Sequence, residues 1–240
     1  MKTIRLEEIN STNDYAKKNM SQLEHMTAVY AQRQTSGRGR LERKWMDTGE
    51  DNLFLTIVLK PKTEKEISNF PNLTQYLSVI LSMLLEEEYN LNPQIKWPND
   101  VLINGKKVAG ILAEGTTHGG KFFGLALGIG VNLNTTSEKL ALIDKPATSI
   151  FNEIGACVNK EIFLKKLLEK FCLLYDEFIA DGFPFIKNDY EKRAMFLGKE
   201  ITINVLGEIH QGVATGVTDE GSLVLKEDDN NKIYYIGDIV

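Results

Sequence analysis

KWPNDVLINGKKVAGILAEGTTHGGKFFGLALGIGVN, residues 96–132, decides how this chain folds. Short apolar runs are separated here by Asn104-Gly105 and Gly119-Gly120, dipeptides suited to hairpin turns. From Pro93 to Gly130 the chain therefore reads as a series of strands joined by turns. Gly128 and Gly130 lie inside the last strand. Glycine there marks either a close approach by a ligand or another backbone, or a bulged core strand. Asn132 falls where that strand leaves the sheet.

Working outward, LFLTIVLK (53–60) reads as a buried strand, TAVYAQR (27–33) as another, and residues 3–9 as a weakly alternating third. Ser11, with an acid three residues later at Asp14, is a capping signal for a helix over 12–22. Apolar residues at Ile67, Phe70, Leu73, Leu77, Ile80, Leu81 and Leu84 follow the helical period and predict a helix over 66–88. Phe163, Leu167, Phe171, Leu174 and Phe178 do the same for 161–180. From residue 199 the texture changes to short β-prone runs (ITINV, HQGVATGV, SLVLK, KIYYIGDIV), which predict a small barrel. The class is α+β: a mixed β-sheet with helices over residues 1–195, followed by a small β domain over 196–240.

With 240 residues, 42% hydrophobic and 25% charged, the chain has the composition of a globular protein. A net charge of −5 excludes a general binder of nucleic acid. Cations do cluster locally: Arg33, Arg38, Arg40, Arg43 and Lys44 are opposed only by Glu42. The N-terminus lacks the apolar core of a signal peptide, and no apolar run approaches the ~20 residues that span a bilayer. Cys157 and Cys172, without a CxxC pattern, read as two buried thiols in a reducing compartment, so the expected location is cytoplasmic. His25, His118 and His210 share no metal or triad spacing, and no metal site is expected. Glu86-Glu87-Glu88 reads as a solvated helix end.

Three segments can carry chemistry. Gln34-Thr-Ser-Gly37-Arg38-Gly39-Arg40-Leu-Glu-Arg43-Lys-Trp45 combines glycines that permit close backbone approach with planar guanidinium forks. It reads as a loop folding over an anion, or as a solvated loop whose cations only keep it soluble. Neither a phosphate-binding GxxxxGK[ST] nor a GxGxxG turn is present. In Lys96-Trp97-Pro98-Asn99-Asp100, proline presents Asn99 and Asp100 at a stiff corner. That corner suits orientation of phosphate or Mg²⁺, or equally an Asx turn opening a hairpin over a core tryptophan. Lys107 starts an apolar strand as a snorkelling surface residue or as a cation aimed at a reacting carboxylate and phosphate.

STN at 11–13, Q-x-x-GRGR at 34–40, RKW at 43–45, KWPND at 96–100, KVAGIL at 107–112 and GIGVN at 128–132 together resemble the biotin protein ligase family. The resemblance implies a biotin/lipoate ligase-like catalytic domain followed by an SH3-like C-terminal domain. Ser11, Thr12, Asn13, Gln34, Gly37, Arg38 and Lys107 would then contact biotin, with Gly110 and Gly128 shaping its slot. ATP would meet Arg38, Arg40, Arg43, Asn99, Lys107 and Asn132. Lys107, Arg40 and Asp100 would carry the catalysis, Asp100 orienting or deprotonating the acceptor amine. ATP and biotin are the implied substrates, with Mg²⁺, and the implied partner is the biotin carboxyl carrier protein or domain of a carboxylase.

Leu41 stands where some relatives continue the basic run, and Pro146–Ser149 offers no aromatic for adenine. The STN element begins at residue 11, which predicts the form without an N-terminal DNA-binding domain. No DNA or membrane partner is expected, and monomer and homodimer are both compatible with the sequence. Two other readings compete. A lipoate- or octanoate-protein ligase shares the fold but not GRGR with KWPND. A nucleotide- or nucleic-acid-binding regulator conflicts with the net acidity and the lack of aromatics among the basic residues.

Overall fold

The computed structural model describes residues 1–40, 43–46, 49, 51–228 and 230–240. Strand β1 (Lys2–Ile9) leads to helix α1 (Thr12–Lys18). Ser11 caps α1 by accepting the Asp14 amide, the bond its sequence position predicts. The helix stops at Lys18, four residues short of the expected end, and the chain turns through Asn19 and Met20 into β2 (Thr27–Gln34). Within the polar stretch, β3 (Gly37–Arg38) and β4 (Lys44–Trp45) pair antiparallel, and β5 (Leu53–Leu59) follows with every residue buried.

The single helix expected over 66–88 is interrupted. Helix α2 (Glu64–Asn69) gives way to a 3-10 turn at Phe70–Asn72, and α3 (Leu73–Tyr89) then starts afresh. Pro71, which has no N–H to donate, sits in the first turn of the new segment, where that loss is harmless. Strands β6 (Pro93–Lys96), β7 (Asp100–Ile103), β8 (Lys106–His118) and β9 (Lys121–Val131) are the predicted hairpin series. Asn104 and Gly105 both take positive φ at the first turn, as do Gly119 and Gly120 at the second. Helices α4 (Ser137–Leu140), α5 (Ile150–Ile154), α6 (Lys160–Asp181) and α7 (Phe183–Arg193) complete the larger part; α7 has no counterpart in the sequence reading. The last five strands are β10 (Glu200–Val205), β11 (Glu208–Val217), β12 (Leu223–Glu227), β13 (Asn230–Tyr234) and β14 (Asp238–Ile239).

The large sheet has the order β1-β2-β5-β9-β8-β7-β6; only β1–β2 is parallel, so the sheet is mixed. The second sheet, β13-β12-β11-β10-β14, is wholly antiparallel. Strand alternation explains the unbroken apolar run of β5. Leu53, Leu55, Ile57 and Leu59 join the main core, whereas Val58 packs on the opposite face with Ala16 of α1 and Met20 of the turn that follows it. Helix α3 is buried nearly all round, and its Ser78 and Ser82 hydroxyls are satisfied by carbonyls one turn back.

Two expectations are corrected. Cys157 and Cys172 are both exposed, not buried: Cys157 lies in the loop before α6, and Cys172 sits beside the buried stripe of that helix. Glu86, Glu87 and Glu88 are not merely solvated, because each pairs across to a cation: Arg193, Lys170 and Lys166 respectively. Among the described residues no helix is long and apolar enough to cross a membrane.

Candidate active site

The register of the central strands builds one face of the site. Thr56, Gly128 and Leu112 stand opposite one another across β5, β9 and β8, and the next row carries Phe54, Gly130 and Gly110, with Asp100 beyond on β7. Residues directly opposite share a face, so two glycine-containing rows about 7 Å apart form a trough. On the other face the odd-numbered Leu125, Leu127 and Ile129 enter the core. The glycines are therefore a floor, not a kink.

At one end of the trough the start of α1 closes down on Gly128. Gln34 Oε1 accepts both the Thr12 amide (2.9 Å) and the Thr12 hydroxyl (3.1 Å). The buried Thr56 hydroxyl lies 2.8 Å from Thr12 Oγ1 and donates to Asn13 Oδ1 at 2.6 Å. Asn13 Nδ2 donates to the Leu112 carbonyl (3.2 Å) and to Glu114 Oε2 (2.9 Å). A Cβ on Gly128 would come within 2.2 Å of Asn13 Oδ1, and one on Gly37 within 2.8 Å of Gln34 Nε2.

Glu114 also receives Lys17 (2.7 Å) and Arg38 (3.3 Å), and Arg38 reaches Asp14 at 2.8 Å. Burial pushes the Asp14 carboxyl up, but the bonds and charges of Lys17 and Arg38 outweigh it and hold Asp14 below the usual carboxylate range.

The other end is cationic. Lys107 Nζ stands 2.6 Å from Asp100 Oδ1 and 5.4 Å from the centre of the Trp45 ring. Both Lys107 and Trp45 crowd the space above Gly110, and Trp45 also lies over Gly130. Asn99 donates to the Ile111 carbonyl at 2.6 Å, and its Oδ1 lies 3.4 Å from Arg40 Nη1. Arg40 and Arg43 each reach Asp238, at 2.9 Å. Burial pulls the Lys96 ammonium below the ordinary lysine range, an effect that Asp100 and Asp238 partly offset. Asn132 is buried, donates to the Thr148 carbonyl (3.0 Å) and accepts from Asn52 (3.2 Å). Segment 146–148 in turn pairs with Lys107 through backbone bonds.

Ser11, Thr12, Asn13, Gln34, Arg38, Gly110 and Gly128, seven of the residues the sequence nominated, thus line one cavity of about 30 Å³. Trp45 occupies what remains of the trough. Gly37 supports Gln34 from behind, and Lys107 stands at the mouth. Asn99, Asp100, Arg40 and Arg43 gather beyond it, and Asn132 sits one layer away behind residues 146–148. A larger concavity of about 630 Å³, between β1 and α6, holds none of these residues.

Sequence reasoning missed Thr56, whose only signal was a hydroxyl in an otherwise apolar run. It missed the placement of Trp45 and, most completely, Asp238, which lies 198 residues from Arg40. The basic patch is not an open positive surface, because its arginines are met by Glu8, Asp14, Glu114 and Asp238. Leu41 and Glu42, invoked for the loop's charge, lie outside the described residues. Of the histidines, His25 has a structural part: its Nδ1 accepts the Lys60 amide at 3.0 Å.

Residues 6–132 match the biotin/lipoate A/B protein ligase family, and residues 196–240 match the biotin protein ligase C-terminal domain. A biotin–[acetyl-CoA-carboxylase] ligase of Paracoccus denitrificans is 34% identical over 226 residues, covering 90% of this chain and 91% of that one. The bifunctional ligase/repressor of Bacillus subtilis is 31% identical over 214 residues; these cover 89% of this chain but only 65% of the relative's length. Among solved structures, the biotin protein ligase from Aquifex aeolicus in complex with biotin and ATP superposes with a TM-score of 0.86 at 29% identity, covering 100% of this chain and 97% of that one. The trough floored by glycine and the antiparallel C-terminal sheet fall within the two matched segments, and a ligase of nearly equal reach is one-third identical along most of both chains: this chain belongs to the biotin protein ligase family.

Proposed function

We propose that the chain is an ATP-dependent biotin ligase acting in the cytoplasm on the carrier domain of a carboxylase. A biotin carboxylate oxygen attacks the α-phosphorus of MgATP; the bond to the β-phosphate breaks, and biotinyl-5′-AMP and pyrophosphate form. The acceptor lysine amine then attacks the acyl carbon, giving the amide and AMP, and its proton leaves to a base. The observation that carries this reading is Lys107 at the mouth of a glycine-floored trough, with a built hydrogen-bond network at the far end. A fused polar ring suits the Thr12–Asn13–Gln34 end, and its acid chain would run toward Lys107.

Carboxylate and triphosphate repel each other, so fixed cations between them lower the barrier. Lys107, Arg40 and Arg43 meet that need, and Arg38 closes the biotin side. Asn99 and Asn132 orient the nucleotide. Among the described residues no group of three or more His, Cys, Asp or Glu offers a metal cage, so Mg²⁺ is taken as part of the substrate, carried on the triphosphate. Asp100 is held by Lys107 in the free protein; once the α-phosphate engages Lys107, that carboxylate is released to orient the acceptor amine. The 30 Å³ cavity is far below the ~300 Å³ at which ligand pockets begin, so Trp45 must move with β3–β4 to admit biotin. The two exposed, unpaired cysteines suit a reducing compartment.

Incubation with biotin, ATP, Mg²⁺ and a carrier domain, read by mass spectrometry, is expected to add one biotinyl group to one lysine. Lys107→Ala is expected to slow biotin-dependent exchange of labelled pyrophosphate into ATP by about 100-fold, the usual cost of one preorganised charge donor. Near-normal exchange in that variant would remove Lys107 from the chemistry, and no exchange by the unaltered protein would end the ligase reading.

A further inference from the structure

We propose that Asp238, in the last strand, is the anchor of the arginine loop: a positioning residue that holds Arg40 and Arg43 over the cleft and so governs how long the adenylate is retained. The proposal rests on the ligase reading for its consequence but not for its geometry. Each carboxylate oxygen takes one arginine, Oδ1 facing Arg40 Nη1 and Oδ2 facing Arg43 Nη2, both at 2.9 Å. Asp238 is only 7% exposed, and its Oδ2 is sealed from solvent without a hydrogen bond among the described residues. A carboxylate so placed is not a surface counter-ion. It has surrendered its hydration, and the two guanidinium charges compensate it.

Asp238 is itself fixed in place. β14 pairs with β10 through Asn204 and Ile203, and the Val240 amide donates to the Thr202 carbonyl. Gly237, at φ +141°, turns the chain into that strand at a point where a Cβ would press on Asn204 O, Val205 and the Trp97 ring. The strand therefore seats on the same corner that carries Asn99, the second group within reach of Arg40. Asp238 takes one nitrogen of each guanidinium, and each guanidinium has five N–H donors. Anchoring thus leaves the arginines able to grip a phosphate while fixing where they do so.

The test replaces Asp238 with Asn, nearly identical in shape but uncharged, in the full chain. Trypsin cuts after Arg40 and Arg43, the two side chains that Asp238 engages, so Asp238→Asn is expected to speed cleavage there at least about tenfold in the free protein, the scale of losing one partner of a buried charge pair. In single turnover without acceptor, escape of biotinyl-AMP into the filtrate is expected to rise by a similar factor, with its formation affected less. Asp238→Glu is expected to recover both properties in part. Should Asp238→Asn lower the melting temperature, Arg43→Gln breaks the pair from the half-exposed loop side, and cleavage after Arg40 is read instead. Unchanged cleavage and unchanged escape overturn the proposal. So does faster escape that Asp238→Glu shares in full, which signals general loosening. Protein that makes no adenylate fails the ligase reading, while the cleavage experiment still decides whether Asp238 anchors the loop.

Discussion

At Gly128 a single hydrogen separates an open trough from a blocked one. A methyl group there would meet Asn13 Oδ1 at 2.2 Å, and the backbone has little room to yield, because residue 128 pairs with strands on both sides. Asn13 must therefore turn away, so the buried Thr56 hydroxyl exchanges Asn13 Oδ1 for Thr12 Oγ1 as its acceptor and the Asn13 bonds to Leu112 and Glu114 are disturbed, a loss of about 0.5–1.5 kcal/mol. Gly128→Ala is expected to raise the KM for biotin by about tenfold, the equivalent of 1.4 kcal/mol, while the KM for ATP stays nearly level. Exchange kinetics at varied biotin and ATP check this, and an equal rise in both would show damage to the fold instead of the biotin end.

Residue by residue, the site was legible where a type has a local meaning. Ser11 caps its helix as its position predicts, and the strand glycines and the lysine that opens β8 come together at the trough. Thr56 and Asp238 have no such local signature. A hydroxyl inside an apolar run and an aspartate near a terminus acquire their roles only from what a distant segment brings against them.

Among the elements, α7 shows how a charged helix is tied down. Arg193, with its side chain 6% exposed, donates through Nε and Nη2 to both oxygens of Glu86 on α3 and through Nη1 to Asp189 on its own helix. Removing the guanidinium strips these carboxylates of their partner and leaves a void in the α3–α7 contact. Arg193→Ala is expected to destabilise the protein by about 1–2 kcal/mol, because the guanidinium is buried while the carboxylates of Glu86 and Asp189 are partly exposed and regain water. Urea unfolding monitored by circular dichroism should show a lower midpoint with little change in slope; a midpoint within error of the parent's would mean the clamp adds nothing. This helix was invisible in the sequence because its apolar positions are few and Pro184 stands near its start, whereas the apolar stripe of α6 made that helix plain. Pro71 likewise cut α3 from α2 where apolar period alone ran straight through. In the β-elements the hairpin turns were readable from Asn-Gly and Gly-Gly. Which face of β9 lays its glycines along the trough depended on register with β5 and β8, which no single strand records.

On the scale of the whole molecule, the change of sequence texture near residue 196 suggested a small separate β domain, yet the two sheets share their interior. Ile203, Ala214, Leu223 and Leu225 of the C-terminal sheet belong to one apolar cluster with Trp97, Ile95 and Leu77 of the larger part. Polar bonds cross as well: Asn72 Nδ2 donates to the Glu220 carbonyl, Gln75 Nε2 to the Gly221 carbonyl and Trp97 Nε1 to the same Gly221 carbonyl. Asp238 adds the third tie, to the loop over the cleft. A boundary drawn by strand texture therefore does not mark where cohesion ends. Cutting the chain after residue 195 would uncover Trp97 and take the Glu220 and Gly221 carbonyls from the Asn72 and Gln75 amides, in addition to freeing Arg40 and Arg43. Calorimetry of the intact chain is expected to show one cooperative transition with equal calorimetric and van't Hoff enthalpies. The 1–195 fragment is expected to lose the sharp near-ultraviolet dichroism of packed aromatics and to aggregate. A fragment that instead unfolded cooperatively and still carried out biotin-dependent exchange would show that the larger sheet stands and works alone.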